Sequence, residues 1–204
     1  MPDRAFDFVL FDLGGVLIEL GGVSTMQEWT GIALDDELWL RWLTCPWVRS
    51  FEMGECSADE FSVGFVTEWE IALSPAKFLE LFRDWPIGPY PGAQDVLREV
   101  QRSVPIGCLS NTNALHWDHQ SQAWPMLGMF DRTFLSFELG LVKPDEEIFE
   151  LVAEQLAVGR DRILYLDDVA LNVEAANRVG LRAEQVRGPD ECRRVLSDAG
   201  LVAG

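Results

Sequence analysis

Four places in this 204-residue chain put a chemically capable polar group beside an apolar run. The run at 6–11 leads into Asp12, followed by Leu13 and the glycine pair Gly14-Gly15. The run at 105–109 leads into Ser110-Asn111-Thr112-Asn113, and the run at 163–166 into Asp167-Asp168. Beyond the run at 133–136, the loop at 138–144 carries Lys143; the only other lysine is Lys77. A carboxylate held at a strand's end against bare backbone suits covalent attack, since carboxylates form aspartyl-phosphate intermediates. The same position also suits a turn aspartate ahead of two glycines. Ser110 and Asn111 can hold phosphate oxygens at a helix N-terminus, or simply cap that helix. Lys143 can screen the repulsion between an anionic nucleophile and a phosphoryl group, or be a solvated surface lysine. Asp167 and Asp168, converging on a third acid, repel one another unless a cation joins them. Hard oxygen donors with open positions suit Mg2+, which keeps waters and binds substrate phosphate. Asp168 can at the same time cap the following helix.

These groups work together only if one architecture brings them to one place. The apolar runs at 6–11, 105–109, 133–136, 163–166 and 182–185 read as strands. Helical patterns lie at 92–102, 114–122, 146–157, 170–179 and 189–198. Strands alternating with helices specify an α/β fold, a doubly wound, Rossmann-like parallel sheet. Strands apolar throughout fit a sheet covered on both faces. Ligands of such sheets bind outside the carboxyl ends of the strands, where strand order reverses. All four polar groups fall on that rim.

The stretch from residue 24 to 85 breaks this rhythm and contains no strand pattern. Asp35 is placed to cap a helix through Leu43, Ser57-Ala58-Asp59-Glu60 is a capping-box pattern, and Ser74-Pro75 starts another helix. The stretch reads as a small α-helical cap inserted into the core. Residues 1–20 and 88–204 are then the core and 21–87 the cap, with Pro86, Pro89 and Pro91 in the return linker. Six of the eight tryptophans (Trp29, Trp39, Trp42, Trp47, Trp69 and Trp85) fall in this insert. They form the core of the bundle, or one or two of them line a pocket facing the sheet.

Composition narrows the partners. A net charge of −18 repels nucleic acid and anionic membrane surfaces. An anionic substrate therefore needs locally supplied positive charge. Cys45, Cys56, Cys108 and Cys192 share no metal-ligand or redox spacing and read as reduced thiols of a cytoplasmic protein. No secretory signal and no bilayer span is expected.

Taken in order, Phe11-Asp12-Leu13-Gly14-Gly15-Val16, Leu109-Ser110-Asn111, Lys143-Pro144 and Leu166-Asp167-Asp168 with Asn172 resemble the haloacid dehalogenase-like hydrolase superfamily from the first strand to about Gly180. The stretches 110–116 and 137–144 resemble most its bacterial glucose-1-phosphatase branch and the phosphatase domain of soluble epoxide hydrolases. The resemblance implies a Mg2+-dependent phosphatase acting on a small phosphorylated metabolite, such as a hexose 1-phosphate. Asp12 would attack phosphorus. Asp12, the Gly14 carbonyl and Asp168 would bind Mg2+, with Asp167 and Asn172 close by. Ser110, Asn111 and Lys143 would hold the phosphoryl group, and the cap would select the leaving group. The departure is Gly14, where most phosphatases of the superfamily carry an aspartate as general acid and base. His116 is the first side-chain candidate to replace it, or else a packing residue. Glu19, a cap acid such as Glu52 or Glu55, or a metal-bound water are the others. A metal-independent 2-haloacid dehalogenase and a weakened phospho-ligand-binding relative are the alternative readings.

Overall fold

The computed structural model describes residues 5–203. The chain runs through β1 (Phe8–Phe11) and β2 (Ile18–Leu20) into five helices. These are α1 (Gly22–Thr30), α2 (Asp35–Thr44), α3 (Pro46–Glu52), α4 (Ala58–Glu68) and α5 (Pro75–Arg83). It returns through β3 (Pro86–Pro89), α6 (Ala93–Val100), β4 (Ile106–Ser110), α7 (Ala114–Ala123), β5 (Arg132–Leu135) and α8 (Ser136–Leu139). It closes with α9 (Glu146–Leu156), β6 (Ile163–Asp167), α10 (Ala170–Val179), β7 (Arg182–Gln185) and α11 (Gly188–Asp198).

Five strands form one parallel sheet in the order β5-β4-β1-β6-β7. The chain moves outward from β1 to β4 and β5, then returns to the other side of β1 for β6. Strand order therefore reverses between β1 and β6, and their carboxyl ends flank the crevice where such sheets bind ligands. β1, β4 and β6 are buried along their whole length, because helices cover both faces. Side chains alternating to either face build two cores. Val9 and Phe11 join one with α6 and α11, while Phe8 and Leu10 join the other with α9 and α10.

The sheet strands lie where the apolar runs place them, within one or two residues at each end. The return segment differs from expectation. Pro86 and Pro89 belong to β3, which pairs antiparallel with β2 in a two-stranded ribbon. Proline lacks a backbone donor, so it is tolerated in a two-stranded edge and misread as linker. The short helix α8 also interrupts the loop before Lys143.

The five helices between the ribbon strands have their own core. The rings of Phe51 and Phe61 stack at 4.4 Å, and Phe65, Phe78, Phe82 and Trp69 close around them. Trp69 Nε1 donates to Cys45 Sγ at 3.3 Å, and all four cysteines are free. The Ser57–Glu60 capping box is present, and Ser74 caps α5 through the Lys77 amide. Helix α2 begins at Asp35 itself, with Leu34 in the capping position. The side chains of Asp35 and Asp36 lie outside the described residues, as does the start of the core segment at 1–4. No helix among the described residues is long and apolar enough to cross a membrane.

Candidate active site

Asp12 leaves β1 at the point where strand order reverses. Its amide donates to the Leu166 carbonyl of β6, so the backbone is held in sheet register one residue past the strand. Gly15 follows with φ +70°, and a Cβ there would stand 2.3 Å from Asp168 Oδ2. Only glycine lets the turn close against that carboxylate. Asp12, Asp167 and Asp168 each present a carboxylate oxygen, all within 4.8 Å of one another.

Lys143 reaches this cluster from the loop before α9 and is buried to 2% exposure. Its Nζ donates to Asp12 Oδ1 at 2.7 Å, Asp167 Oδ2 at 2.8 Å, Tyr165 Oη at 3.0 Å and the Leu109 carbonyl at 3.1 Å. The peptide bond from Lys143 to Pro144 is cis. Asn111 fixes this backbone. Its side chain donates to the Lys143 carbonyl at 3.0 Å and accepts from the Lys143 amide at 2.9 Å. Sequence reading offered Asn111 as a phosphate ligand or a cap; in the structure its amide braces the lysine loop. The cap of α7 is Asn113, which accepts from the His116 amide at 3.0 Å. Ser110 also lines the cavity.

Asp167 is fully buried, and its two oxygens are consumed by neighbours. Oδ1 accepts from the Val169 amide and from Asn172 Nδ2, while Oδ2 accepts from Lys143, Asn172 and the Tyr165 hydroxyl. Asp168 makes no side-chain cap for α10, whose capping position is Val169. It is left facing the cavity with Asp12.

The electrostatics follow from three carboxylates around one ammonium. Burial raises the Asp12 carboxyl to about 8, reinforced by Asp167 and Asp168 and opposed by Lys143. Burial and the charge of Asp167 lift Asp168 to about 6, against Lys143. For Lys143, burial pulls downward, but Asp12 and Asp167 prevail and raise it, so the ammonium keeps its proton. The cluster is short of positive charge. Asn172 Oδ1, buried beside it, has no hydrogen-bond partner. A dication meets both deficits: hard oxygen donors suit Mg2+, and an orphaned amide oxygen can bond one of its waters.

His116 is brought to the cavity wall but not to the acidic cluster. Its Nε2 bonds the Phe82 carbonyl of the cap at 2.8 Å, and its Nδ1 lies 3.4 Å from Asn113 Nδ2. The imidazole ring packs on Phe82 with centroids 4.4 Å apart. Burial lowers its pKa to about 4, so the ring is neutral with both nitrogens engaged. The expectation of His116 as proton carrier gives way to a packing role that ties cap to core.

The residue that sequence order ranked behind it stands out in the structure. Glu52 ends α3, is 8% exposed and lines the same cavity as Asp12, Gly14, Ser110 and Lys143. Burial raises its carboxyl from 4.5 to about 7, against a hydrogen bond to Trp42 and the charges of Lys143 and Arg49. A raised folded-state value means stability present below the unfolded pKa and lost as pH rises through 7. Glu52→Gln is therefore expected to raise stability at pH 8 by up to about 3 kcal/mol, at ~1.4 kcal/mol per pKa unit, and little at pH 4. Denaturant melts at the two pH values check this.

A cavity over an acidic cluster and a buried lysine, at the strand-order reversal of a parallel sheet, is the arrangement of an α/β enzyme with its site at the strand ends. The chain belongs to the haloacid dehalogenase-like hydrolases: a model of that family matches residues 6–180. Among characterised relatives, a D-ribitol-5-phosphate phosphatase of Bacteroides thetaiotaomicron is 25% identical over 201 residues, covering 93% of this chain and 96% of the relative. The sesquiterpene phosphatase astK of Aspergillus oryzae is 26% identical over 182 residues, covering 86% of this chain and 87% of the relative. The fold is shared with a family enzyme of Bacteroides thetaiotaomicron solved with magnesium and inorganic phosphate. That pair has a TM-score of 0.71 and 23% identity, with 89% of this chain and 94% of the other covered. The L-2-haloacid dehalogenase RSc1362 shares the fold as well, at a TM-score of 0.69 and 18% identity, covering 96% of this chain and 99% of the other.

Proposed function

We propose that the protein is a Mg2+-dependent phosphomonoesterase working through an aspartyl phosphate on Asp12. The observation that carries this reading is the acidic cluster: Asp12, Asp167 and Asp168 converge on one point with a single lysine among them. Three carboxylates repel an anionic haloacid, whereas a cation-bridged phosphate is drawn in, which disfavours the dehalogenase reading. The curated relatives named as phosphatases support the same choice.

Asp12, Asp168 and the Gly14 carbonyl would hold the Mg2+, with Asp167 and Asn172 behind them. When bound, the cation neutralises the carboxylates and polarises the phosphoryl oxygens. Lys143 orients the Asp12 carboxylate through its 2.7 Å bond and favours its anionic form against the effect of burial. Asn111 fixes the lysine backbone, and Asp167 holds the ammonium from the far side. Ser110 lines the same cavity as Asp12 and would supply a hydroxyl to the phosphoryl group. Asp12 forms its bond to phosphorus as the ester oxygen leaves, and water then cleaves the acyl phosphate.

The cap supplies the wall against which the leaving group rests. Met26, Leu38, Trp39, Trp42, Leu43 and Trp85 line it. Indole faces suit the CH face of the sugar phosphate that the resemblance implies, and the aliphatic surface favours hydrocarbon alcohols by ~25 cal/mol per Å2 buried. The test is a phosphate-release screen across sugar, polyol, alkyl and isoprenyl monophosphates with Mg2+. Turnover of at least one class is expected, abolished by EDTA and restored by Mg2+. No turnover of any ester, or turnover indifferent to chelation, contradicts the reading.

A further inference from the structure

Gly14 leaves the departing oxygen without a proton donor from the core. A Cβ at that position would stand 2.9 Å from Leu20 Cδ1, so an aliphatic side chain holds the space where an acid would begin. His116 has both ring nitrogens engaged. Across the cavity, Glu52 is the one carboxylic acid that the cap contributes to the lining among the described residues. Its helix is docked on the core. Arg49, one turn back, pairs with Asp145 at 2.5 Å across the cap–core boundary. Gly54, two residues on, takes φ +73° where a Cβ would lie 2.6 Å from the Phe137 carbonyl oxygen. Trp42 lines the same cavity wall beside Glu52.

We propose that Glu52 is the acid–base residue of phosphoryl transfer, so that the proton is handled from the cap instead of the core. The proposal rests on the phosphatase reading. In the first half-reaction the bond from Asp12 to phosphorus forms and the ester P–O bond breaks. The departing oxygen takes the Glu52 proton and leaves as the alcohol. In the second, the Glu52 carboxylate takes a proton from water as that oxygen bonds phosphorus. The bond to Asp12 breaks, and phosphate and protonated Glu52 are restored. The net change is ester plus water to alcohol plus phosphate. A group that titrates near neutral pH serves both directions, and burial places Glu52 there at about 7. The charges acting on it are Lys143 from the core and Arg49 on its own helix, the latter paired with Asp145. One consequence concerns the cap: the acid arrives only with α3 docked, so an open cap leaves Asp12 without its proton partner.

The test separates leaving groups that need a proton from those that do not. With purified full-length protein and Mg2+, Glu52→Gln is expected to lower kcat/KM for an alkyl phosphate by ~10²–10⁴-fold. For p-nitrophenyl phosphate, whose phenolate leaves unaided, kcat/KM should stay within about threefold, with a burst of nitrophenol followed by slow turnover. Wild-type kcat/KM for the alkyl ester should fall above pH 7, and this fall should vanish in the variant. Glu52→Asp, which keeps the acid on a shorter arm, should retain part of the alkyl activity. An equal loss on both esters, or no loss on either, overturns the proposal. If wild-type protein cleaves neither ester, nor any in the wider screen, the phosphatase reading fails and takes this proposal with it.

Discussion

Asp12→Asn is expected to abolish phosphate release, lowering kcat by on the order of 10⁴-fold or more, the scale seen when the nucleophile of a concerted group is removed. An amide is nearly isosteric with the carboxylate but does not attack phosphorus. It also removes one negative charge from a cluster of three carboxylates that share one ammonium. Folding should therefore survive the change. Asp12 is raised to about 8 chiefly by burial, so its charged form is costly, and the neutral amide relieves that cost. A melt at least as high as wild type, together with lost activity, places the defect in chemistry. An inactive variant that is also unfolded would place it in structure.

Lys143→Met is the second large effect, and here stability and activity should fall together. The ammonium is buried and donates to Asp12, Asp167, Tyr165 and the Leu109 carbonyl. Its loss leaves two buried carboxylates with no cation between them, a defect of about 3–5 kcal/mol. Activity should fall ~10²–10³-fold or more, because a preorganised charge at the transferring group is lost. Lys143→Arg should not restore activity, since a planar guanidinium does not fit a compact, 2% exposed ammonium site. Chemical denaturation with and without Mg2+ reads the stability term. The added cation should recover part of it in Lys143→Met, and a variant as stable as wild type without metal would contradict the buried-charge account.

Much of this arrangement is legible in the sequence because it depends on local grammar. An apolar run followed by a polar residue marks a strand's carboxyl end, and a parallel sheet puts all such ends on one rim. That grammar is enough to bring Asp12, Ser110, Asn111, Lys143 and Asp168 to one cavity, and the family resemblance adds Asn172. It fails where a residue's role depends on a partner distant in sequence. Nothing around Asn111 shows that its amide braces a lysine 32 residues on. Nothing around His116 shows that its ring meets a carbonyl 34 residues earlier. Glu52 is offered by the sequence only as one of two cap acids beside Glu55; what sets it apart is its burial at the cavity, on a helix that the Arg49 pair with Asp145 ties to the core across 96 residues. The β2–β3 ribbon escapes for a different reason. Three- and four-residue strands carry too little periodicity, and two prolines argue against them locally.

The account's central claim is that Asp12 attacks phosphorus and becomes the phosphorylated residue. A single turnover in oxygen-18 water, with excess enzyme, Mg2+ and the best ester from the screen, tests it most directly. Water that cleaves an aspartyl phosphate at phosphorus puts the label into released phosphate and leaves the peptide containing Asp12 unlabelled. Acid quench before completion should also recover that peptide carrying one phosphoryl group. Label in the Asp12 carboxylate, with no phosphorylated peptide recovered at any quench time, would show a carbon ester intermediate of the dehalogenase kind. Labelled phosphate released at wild-type rate by Asp12→Asn would show that water attacks the substrate directly, and either result would contradict the account.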